Sequence, residues 1–241
     1  MIRNTLTNTK NATFAVIVPH PDPRLQGFPH PKATGFFVSS EGYFVTARHV
    51  LEKSESDKTI HNETEISLAN PEKTASHIDG ISIVRDWPDC DLVLLKANWE
   101  KNKSKVAFQG KTGFDFLEVD FNVIAEGTPV YAFGYPLPEF RILGNEKLTL
   151  GFHFFCPRVT SAILSSHYDY IRPMRRTGGF PKFYIIDKAL NYGNSGGPII
   201  VQETGKVVSV CVRFQPVIIR QDRETAITVP SLYGITSSLK N

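Results

Sequence analysis

Three residues of this chain fit a single chemistry: a serine among glycines, a histidine closing a strand-like hairpin, and an aspartate at the mouth of an apolar run. The serine is Ser195, in Gly193-Asn194-Ser195-Gly196-Gly197-Pro198. Flanking glycines let the backbone turn sharply and approach a substrate, and they leave the amides of Gly193 and Ser195 free to point at one oxygen as an oxyanion hole. The histidine is His49, at the end of Thr34-Gly35-Phe36-Phe37-Val38-Ser39-Ser40-Glu41-Gly42-Tyr43-Phe44-Val45-Thr46-Ala47-Arg48-His49-Val50, which reads as strand, tight Glu-Gly turn, strand. The carboxylate is Asp91, in Asp89-Cys90-Asp91-Leu92-Val93-Leu94-Leu95-Lys96, with Asp89 as its rival two residues away on the same strand face. A serine hydroxyl is a poor nucleophile at neutral pH and needs a base to take its proton as it attacks a carbonyl. His49 supplies that base and can return the proton to a leaving amine, while the aspartate fixes the imidazole tautomer and stabilises the imidazolium.

Each residue alone also suits a structural role: a turn serine, a hydrogen-bonded core histidine, a strand-end aspartate. Their order in the chain separates the readings. Gly193-Asn194-Ser195-Gly196-Gly197 satisfies the G-x-S-x-G pattern of α/β-hydrolases, whose acid and histidine follow the serine. All seven histidines (His20, His30, His49, His61, His77, His153, His167) precede Ser195, so that triad cannot be assembled. The subtilisin order needs an acid before the histidine, and Asp22, the only aspartate ahead of His49, lies in a Pro-rich loop. The order His49, Asp91, Ser195 is that of the chymotrypsin-like arrangement.

The chain resembles a trypsin-like serine peptidase of the HtrA/Deg type, reduced to its protease domain. Besides the three segments above, the resemblance takes in Val130-Tyr131-Ala132-Phe133-Gly134-Tyr135-Pro136, Val159-Thr160-Ser161-Ala162-Ile163-Leu164-Ser165, Ile186-Asp187-Lys188-Ala189-Leu190-Asn191 and Ala226-Ile227-Thr228-Val229-Pro230-Ser231, in the family's order from about residue 33. It implies an all-β fold of two Greek-key six-stranded β-barrels, chymotrypsin-like, with the active site in the cleft between them and a short C-terminal helix over residues 231–240. It favours Asp91 over Asp89 as the orienter. It places Ala189 where the aspartate of trypsin selects Lys or Arg, so Ala189 and Leu190 would favour a small or medium apolar residue before the scissile bond, a reading that the charge of the adjacent Lys188 opposes. The strand Ser209, Val210, Cys211 and on to Arg213 would be the edge to which an extended peptide adds. Asn194 stands where trypsin's aspartate pairs with a freshly cut N-terminus, so activation by N-terminal cleavage is not expected; loops around 135–150 and 168–182 would order the site instead.

Composition agrees with one soluble catalytic unit. Of 241 residues, 41% are hydrophobic and 21% charged, too apolar for disorder, and the net charge of +3 makes no case for nucleic acid beyond a local cluster of Arg172, Arg175, Arg176 and Lys182. No apolar run approaches the roughly 20 residues that span a bilayer, and residues 1–11 lack the apolar core of a signal peptide, so neither membrane nor export is expected. Three cysteines (Cys90, Cys156, Cys211) make no disulfide framework, and Val50 stands where secreted trypsin relatives carry a cysteine; both suggest a reduced, cytoplasmic compartment. No metal or other cofactor is expected, His20 and His30 lacking a ligand-spaced neighbour.

Along the chain, residues 1–32 read as an N-terminal arm and loop containing a strand near 13–18. Residues 33–122 form the first barrel with His49 and Asp91, and residues 123–241 the second with Ser195; too little chain follows for a PDZ module. The expected function is a serine endopeptidase acting on protein or peptide substrates and restrained by a regulatory protein partner. The alternatives are a catalytically silent fold that binds peptides, an acyl hydrolase using the same triad, and nucleic-acid binding through the loop around 172–182.

Overall fold

The computed structural model describes residues 2–20, 29–54, 56–70, 76–136, 139–145, 148–154, 156–169, 182–221 and 226–238. The basic cluster at Arg172, Arg175 and Arg176 therefore lies outside the described residues. The chain opens with helix α1 (Ile2–Ala12), although Thr and Asn, which dominate it, are poor helix formers. Contacts beyond the helix override that propensity. Thr9 Oγ1, which also donates within the helix to the Thr5 carbonyl at 2.9 Å, lies 3.1 Å from the Tyr131 hydroxyl, and Asn8 Nδ2 donates to the Phe116 carbonyl at 3.2 Å. At the other end the Asn70 amide reaches the carbonyls of Lys10, Asn11 and Thr13 at 3.2, 3.3 and 3.1 Å, supplying donors that the last helical turn lacks.

Seven strands follow: β1 (Thr13–Pro19), β2 (Pro29–Phe37), β3 (Tyr43–Ala47), β4 (Ser67–Asn70), β5 (Ser76–Ile78), β6 (Ile81–Trp87) and β7 (Leu92–Ala97). They form one antiparallel sheet in the order β5-β4-β1-β2-β3-β7-β6, a half-barrel of seven strands where a barrel of six is expected from the sequence. Burial of β1 from Thr13 to Val18 explains its unbroken apolar sequence, and its place between β4 and β2 makes it integral to the sheet. β2 starts at Pro29, so residues 13–19 and 29–32, read from the sequence as part of an arm, belong to the first sheet. The Glu41-Gly42 turn forms as the sequence predicts. Gly42 sits at φ +95°, with no room for a side chain because a Cβ would lie 2.4 Å from the Ala97 carbonyl. Phe14, Phe37 and Phe44 interlock beneath the sheet, with ring centroids 4.8, 5.2 and 5.8 Å apart, and Phe114 stacks on Phe37 at 4.4 Å.

The second half contains β8 (Pro129–Gly134), the hairpin β9 (Glu139–Asn145) and β10 (Leu148–Phe154), then β11 (Arg158–Asp169), β12 (Lys182–Ile186), β13 (Pro198–Val201), β14 (Val207–Gln221) and β15 (Ala226–Ser238). All but the hairpin close into a six-stranded barrel in the order β11-β12-β15-β14-β13-β8. The region around 135–150, expected as a loop, holds most of the β9–β10 pair. The expected C-terminal helix over 231–240 is corrected too: through Ser238 these residues continue β15, which pairs with β12 on one side and β14 on the other. A helix there would leave both neighbours with open edges, whereas a strand closes the barrel. Thr236, fully buried on β15, donates to Ser209 Oγ at 2.9 Å.

The two halves are joined by main chain as well as by packing. Asp120 N and Val207 N donate to the carbonyls of Val207 and Glu118 at 2.8 Å each. Thr34, on β2, bonds directly to the loop before β13, donating its amide to the Ser195 carbonyl at 2.9 Å. Because Phe37 is 3% exposed and ties together β1, β2, β3 and the Phe114 segment, we expect Phe37→Ala to cost about 4 kcal/mol in urea unfolding. Val84→Ala, at a 48% exposed position, should change stability by less than about 0.5 kcal/mol.

Candidate active site

His49 lies in a single 3-10 turn, Arg48–Val50, directly after β3, as the hairpin reading requires. The turn is held by its neighbours. Arg48 Nε donates to both carboxylate oxygens of Asp86 at 2.8 and 3.1 Å, and its Nη1 donates to Glu52 Oε1 at 2.6 Å. Asp91 grips the same turn through three bonds. Its carbonyl accepts from Arg48 N at 2.9 Å, its Oδ1 accepts from His49 N at 2.9 Å, and its Oδ2 lies 2.8 Å from His49 Nδ1. The strand reading of 89–91 is corrected: Pro88–Cys90 form a 3-10 turn, so Asp89 does not share a strand face with Asp91. Asp91 caps that turn at φ 55°, ψ 40°, and among the described residues it alone is a non-glycine with positive φ. Aspartate tolerates this left-handed geometry better than most residues, and a backbone held there points to a site where position matters.

Ser195 completes the array, its Oγ 3.1 Å from His49 Nε2. With Nδ1 facing a carboxylate, the neutral ring carries its proton there and offers the Nε2 lone pair to the serine hydroxyl. The structure thus brings together His49, Asp91 and Ser195 from three segments and two sheets.

The loop bearing Ser195 is fixed at nearly every peptide. Gly197 N donates to the Asn194 carbonyl at 2.8 Å, Gly196 N to the Cys211 carbonyl at 2.7 Å, and Thr34 Oγ1 to the Gly193 carbonyl at 2.6 Å. Gly196, at φ +82°, has no space for a Cβ, which would lie 2.1 Å from the Thr34 carbonyl. Among the described residues, the amides of Gly193 and Ser195 donate to no protein acceptor. Thr34 was not singled out from the sequence as a site residue. Fully buried, it donates its amide to Ser195 and its hydroxyl to Gly193, accepts from Tyr135 N at 3.0 Å, and offers its carbonyl to Thr46 Oγ1 at 2.8 Å. Its polar type directly before Gly35-Phe36-Phe37, the apolar end of β2, was the available signal.

His49, Asp91, Gly193 and Ser195 line a cleft of about 800 Å³ that reaches both sheets. Leu190, Asn191, Tyr192, Gly193, Cys211 and Val212 lie on its second-barrel side beside Ser195; Ala189, half-buried, does not line it. Of the strand residues expected to receive substrate, Cys211 lines the cleft, whereas Ser209 and Val210 do not. Ser209 and Val210 are fully buried and paired to both β13 and β15, and the Cys211 amide and carbonyl bond to Gly197 and Gly196. Val212, at a register shift between β14 and β15, is the first residue there that reaches the cleft without a ladder partner. Burial pushes the Cys211 thiol up, and burial together with Asp89 pushes up that of Cys90, so neither is a thiolate competing with Ser195. The rings of His20 and His30 pack 4.8 Å apart, and no group of three or more metal-binding side chains occurs among the described residues.

Comparison with known proteins agrees with this geometry. The family profile described as the trypsin-like peptidase domain matches residues 33–210. The probable periplasmic serine endoprotease DegP-like of Bartonella henselae is 32% identical over 178 residues, covering 73% of this chain and 27% of that protein. Its namesake in Chlamydia trachomatis serovar D is 29% identical over 179 residues, covering 74% and 27%. The chain thus spans about a quarter of the length of these relatives. Among solved structures, the active form of the Rv3671c protease from M. tuberculosis aligns with TM-score 0.60 at 17% identity, covering 98% of this chain and 79% of that one. The HtrA-type protease AlgW with decapeptide aligns at 0.61 and 17%, covering 100% and 64%. At such identities they show the fold, the two-barrel architecture expected from the sequence. The relatives' names overturn the cytoplasmic expectation. That expectation leaned on the cysteines, yet a fold that uses no disulfide says nothing about the redox state around it. With the family profile covering most of its length, this chain belongs to the trypsin-like peptidase domain family.

Proposed function

We propose that this chain is a serine endopeptidase unit in which Ser195 attacks the peptide carbonyl, His49 acts as general base and then general acid, and Asp91 orients the imidazole. The observation that carries this reading is the unbroken bond sequence from Asp91 Oδ2 through His49 to Ser195 Oγ, at 2.8 and 3.1 Å. On attack, the hydroxyl proton passes to Nε2 and the carbonyl oxygen becomes an oxyanion, which the Gly193 and Ser195 amides would meet. Collapse breaks the C–N bond as His49 returns the proton to the amine, and water repeats the cycle on the acyl-enzyme. Leu190, Cys211 and Val212 offer an apolar wall, which supports a small or medium apolar residue before the scissile bond. The location in the relatives' names, outside the cytoplasm, is taken over as part of this proposal, together with protein or peptide substrates and restraint by a regulatory partner. A silent peptide-binding role is disfavoured because every element of the triad is intact and in reach.

A fluorophosphonate probe should label the wild-type protein at a single residue, and Ser195→Ala should abolish both labelling and casein cleavage. Labelling that survives Ser195→Ala would refute the assignment. Thr34 should act as a positioning residue: Thr34→Val keeps the shape but removes the hydroxyl that holds the Gly193 carbonyl. We expect kcat to fall roughly 10- to 100-fold with KM little changed, on the scale of losing one oxyanion donor or less, and Thr34→Ser to restore most of it.

A further inference from the structure

The cleft has two chemically unlike sides. Opposite the apolar wall of the second barrel, the first-sheet side beside His49 is lined by Lys32, Arg48, Glu52, Lys53 and Lys58. The ion pairs there are unequally shared. Glu52, buried, is bridged at once by Arg48 at 2.6 Å and Lys58 at 2.7 Å, and Arg48 also binds Asp86 at 2.8 Å. Glu52 is thereby bonded by two of the four cations, while Lys32 and Lys53 have no carboxylate within ion-pair distance among the described residues, Lys32 feeling Glu52, and Lys53 feeling Asp57 and Glu65, only at longer range. Lys32, half-buried, donates to a neutral acceptor, the Glu52 carbonyl, at 3.0 Å, and Lys53, exposed, is in no salt bridge among the described residues.

A partly desolvated ammonium such as that of Lys32, bonded to a carbonyl and not to a carboxylate, is unfavourable in a closed protein and useful in a binding cleft, where a ligand anion can supply charge at close range. The two ammonium groups act on common ground. Nearby His61 is held below the usual imidazole range by burial, opposed by its bond to Glu65, and further by the charges of Lys32 and Lys53. The direction of the substrate follows from the proposed reaction. The acyl half is held against Leu190 and Cys211, while the departing amine must lie at His49 Nε2 to receive its proton, so the leaving half runs onto the His49 side.

Resting on the endopeptidase reading, we propose that Lys32 and Lys53 form an anion-recognising subsite that selects Asp or Glu in the one to three positions after the scissile bond. The expected substrate is a segment with an apolar residue at the cut followed by acidic ones. The apolar wall takes the first and the cationic wall the second. Lys58, already engaged by Glu52, frames the rim.

The test compares two peptides identical through a Val at the cut and carrying either Ala-Ala or Asp-Asp after it. Their binding to Ser195→Ala is measured by fluorescence anisotropy, and their cleavage by the wild type. At low salt the Asp-Asp peptide should bind and be cut about 5- to 10-fold better, with the advantage shrinking as salt rises. Lys53→Gln should remove part of the advantage and Lys32→Gln/Lys53→Gln nearly all of it, so that the double variant binds and cuts the two peptides about equally. Equal binding of the two peptides, or a preference for acidic residues placed before the cut, would overturn the proposal. Cleavage of the Ala-Ala peptide bears on the endopeptidase reading alone, because the anisotropy comparison tests the subsite even if no peptide is turned over.

Discussion

The imidazole of His49 joins the two halves of this molecule, and the usefulness of every other part of the site depends on its being held at both nitrogens. One nitrogen faces Asp91 from the same sheet and the other faces Ser195 from the opposite barrel. Such a bridge tolerates little error, since a hydrogen bond weakens steeply with distance and misalignment. The fold answers with redundancy. Asp91 holds both the backbone and the ring of the histidine turn, and Arg48 ties that turn to Asp86 and Glu52. Thr34 reaches from the first sheet into the serine loop with its amide and its hydroxyl, so the distance between sheets is set beside the reacting atoms.

This explains what was legible in the sequence and what was not. The triad could be read because its chemistry restricts residue type: the glycines around Ser195, the Glu-Gly hairpin before His49 and the apolar run after Asp91 are local signals that the structure reproduces. Strands near 13–18, 129–133 and 198–202 were legible for the same reason, being short apolar runs between turn residues. What depended on distant partners was not. Helix α1 contradicts its own propensity and rests on Tyr131, Phe116 and Asn70. The C-terminal segment becomes a strand because β12 and β14 both present edges to it, which no local pattern announces. Thr34 looks in sequence like any strand threonine; its role emerges only when the loop 159 residues away folds over it.

The strand after the nucleophile loop shows how a register shift changes what neighbouring residues are able to reach. Ser209 and Val210 are taken up by the barrel, while Cys211, bonded to the nucleophile loop, and Val212, at the register shift, line the cleft. A shift of this kind turns a fully paired strand into one able to present a side chain or a peptide group elsewhere. The cationic wall was equally hidden, because the bonding of Glu52 by two cations at once, with Lys32 and Lys53 left at longer range from a carboxylate, arises only once the chain is folded.

The most direct test of the central claim is a double-mutant comparison of peptide cleavage by wild type, His49→Ala, Ser195→Ala and the double variant, each checked for unaltered folding. If the two groups act as one proton-transfer unit, either single change should abolish the unit and the double variant should be no slower than the slower single one. Losses that multiply in the double variant would mean that the histidine and the serine contribute independently, and would contradict the account.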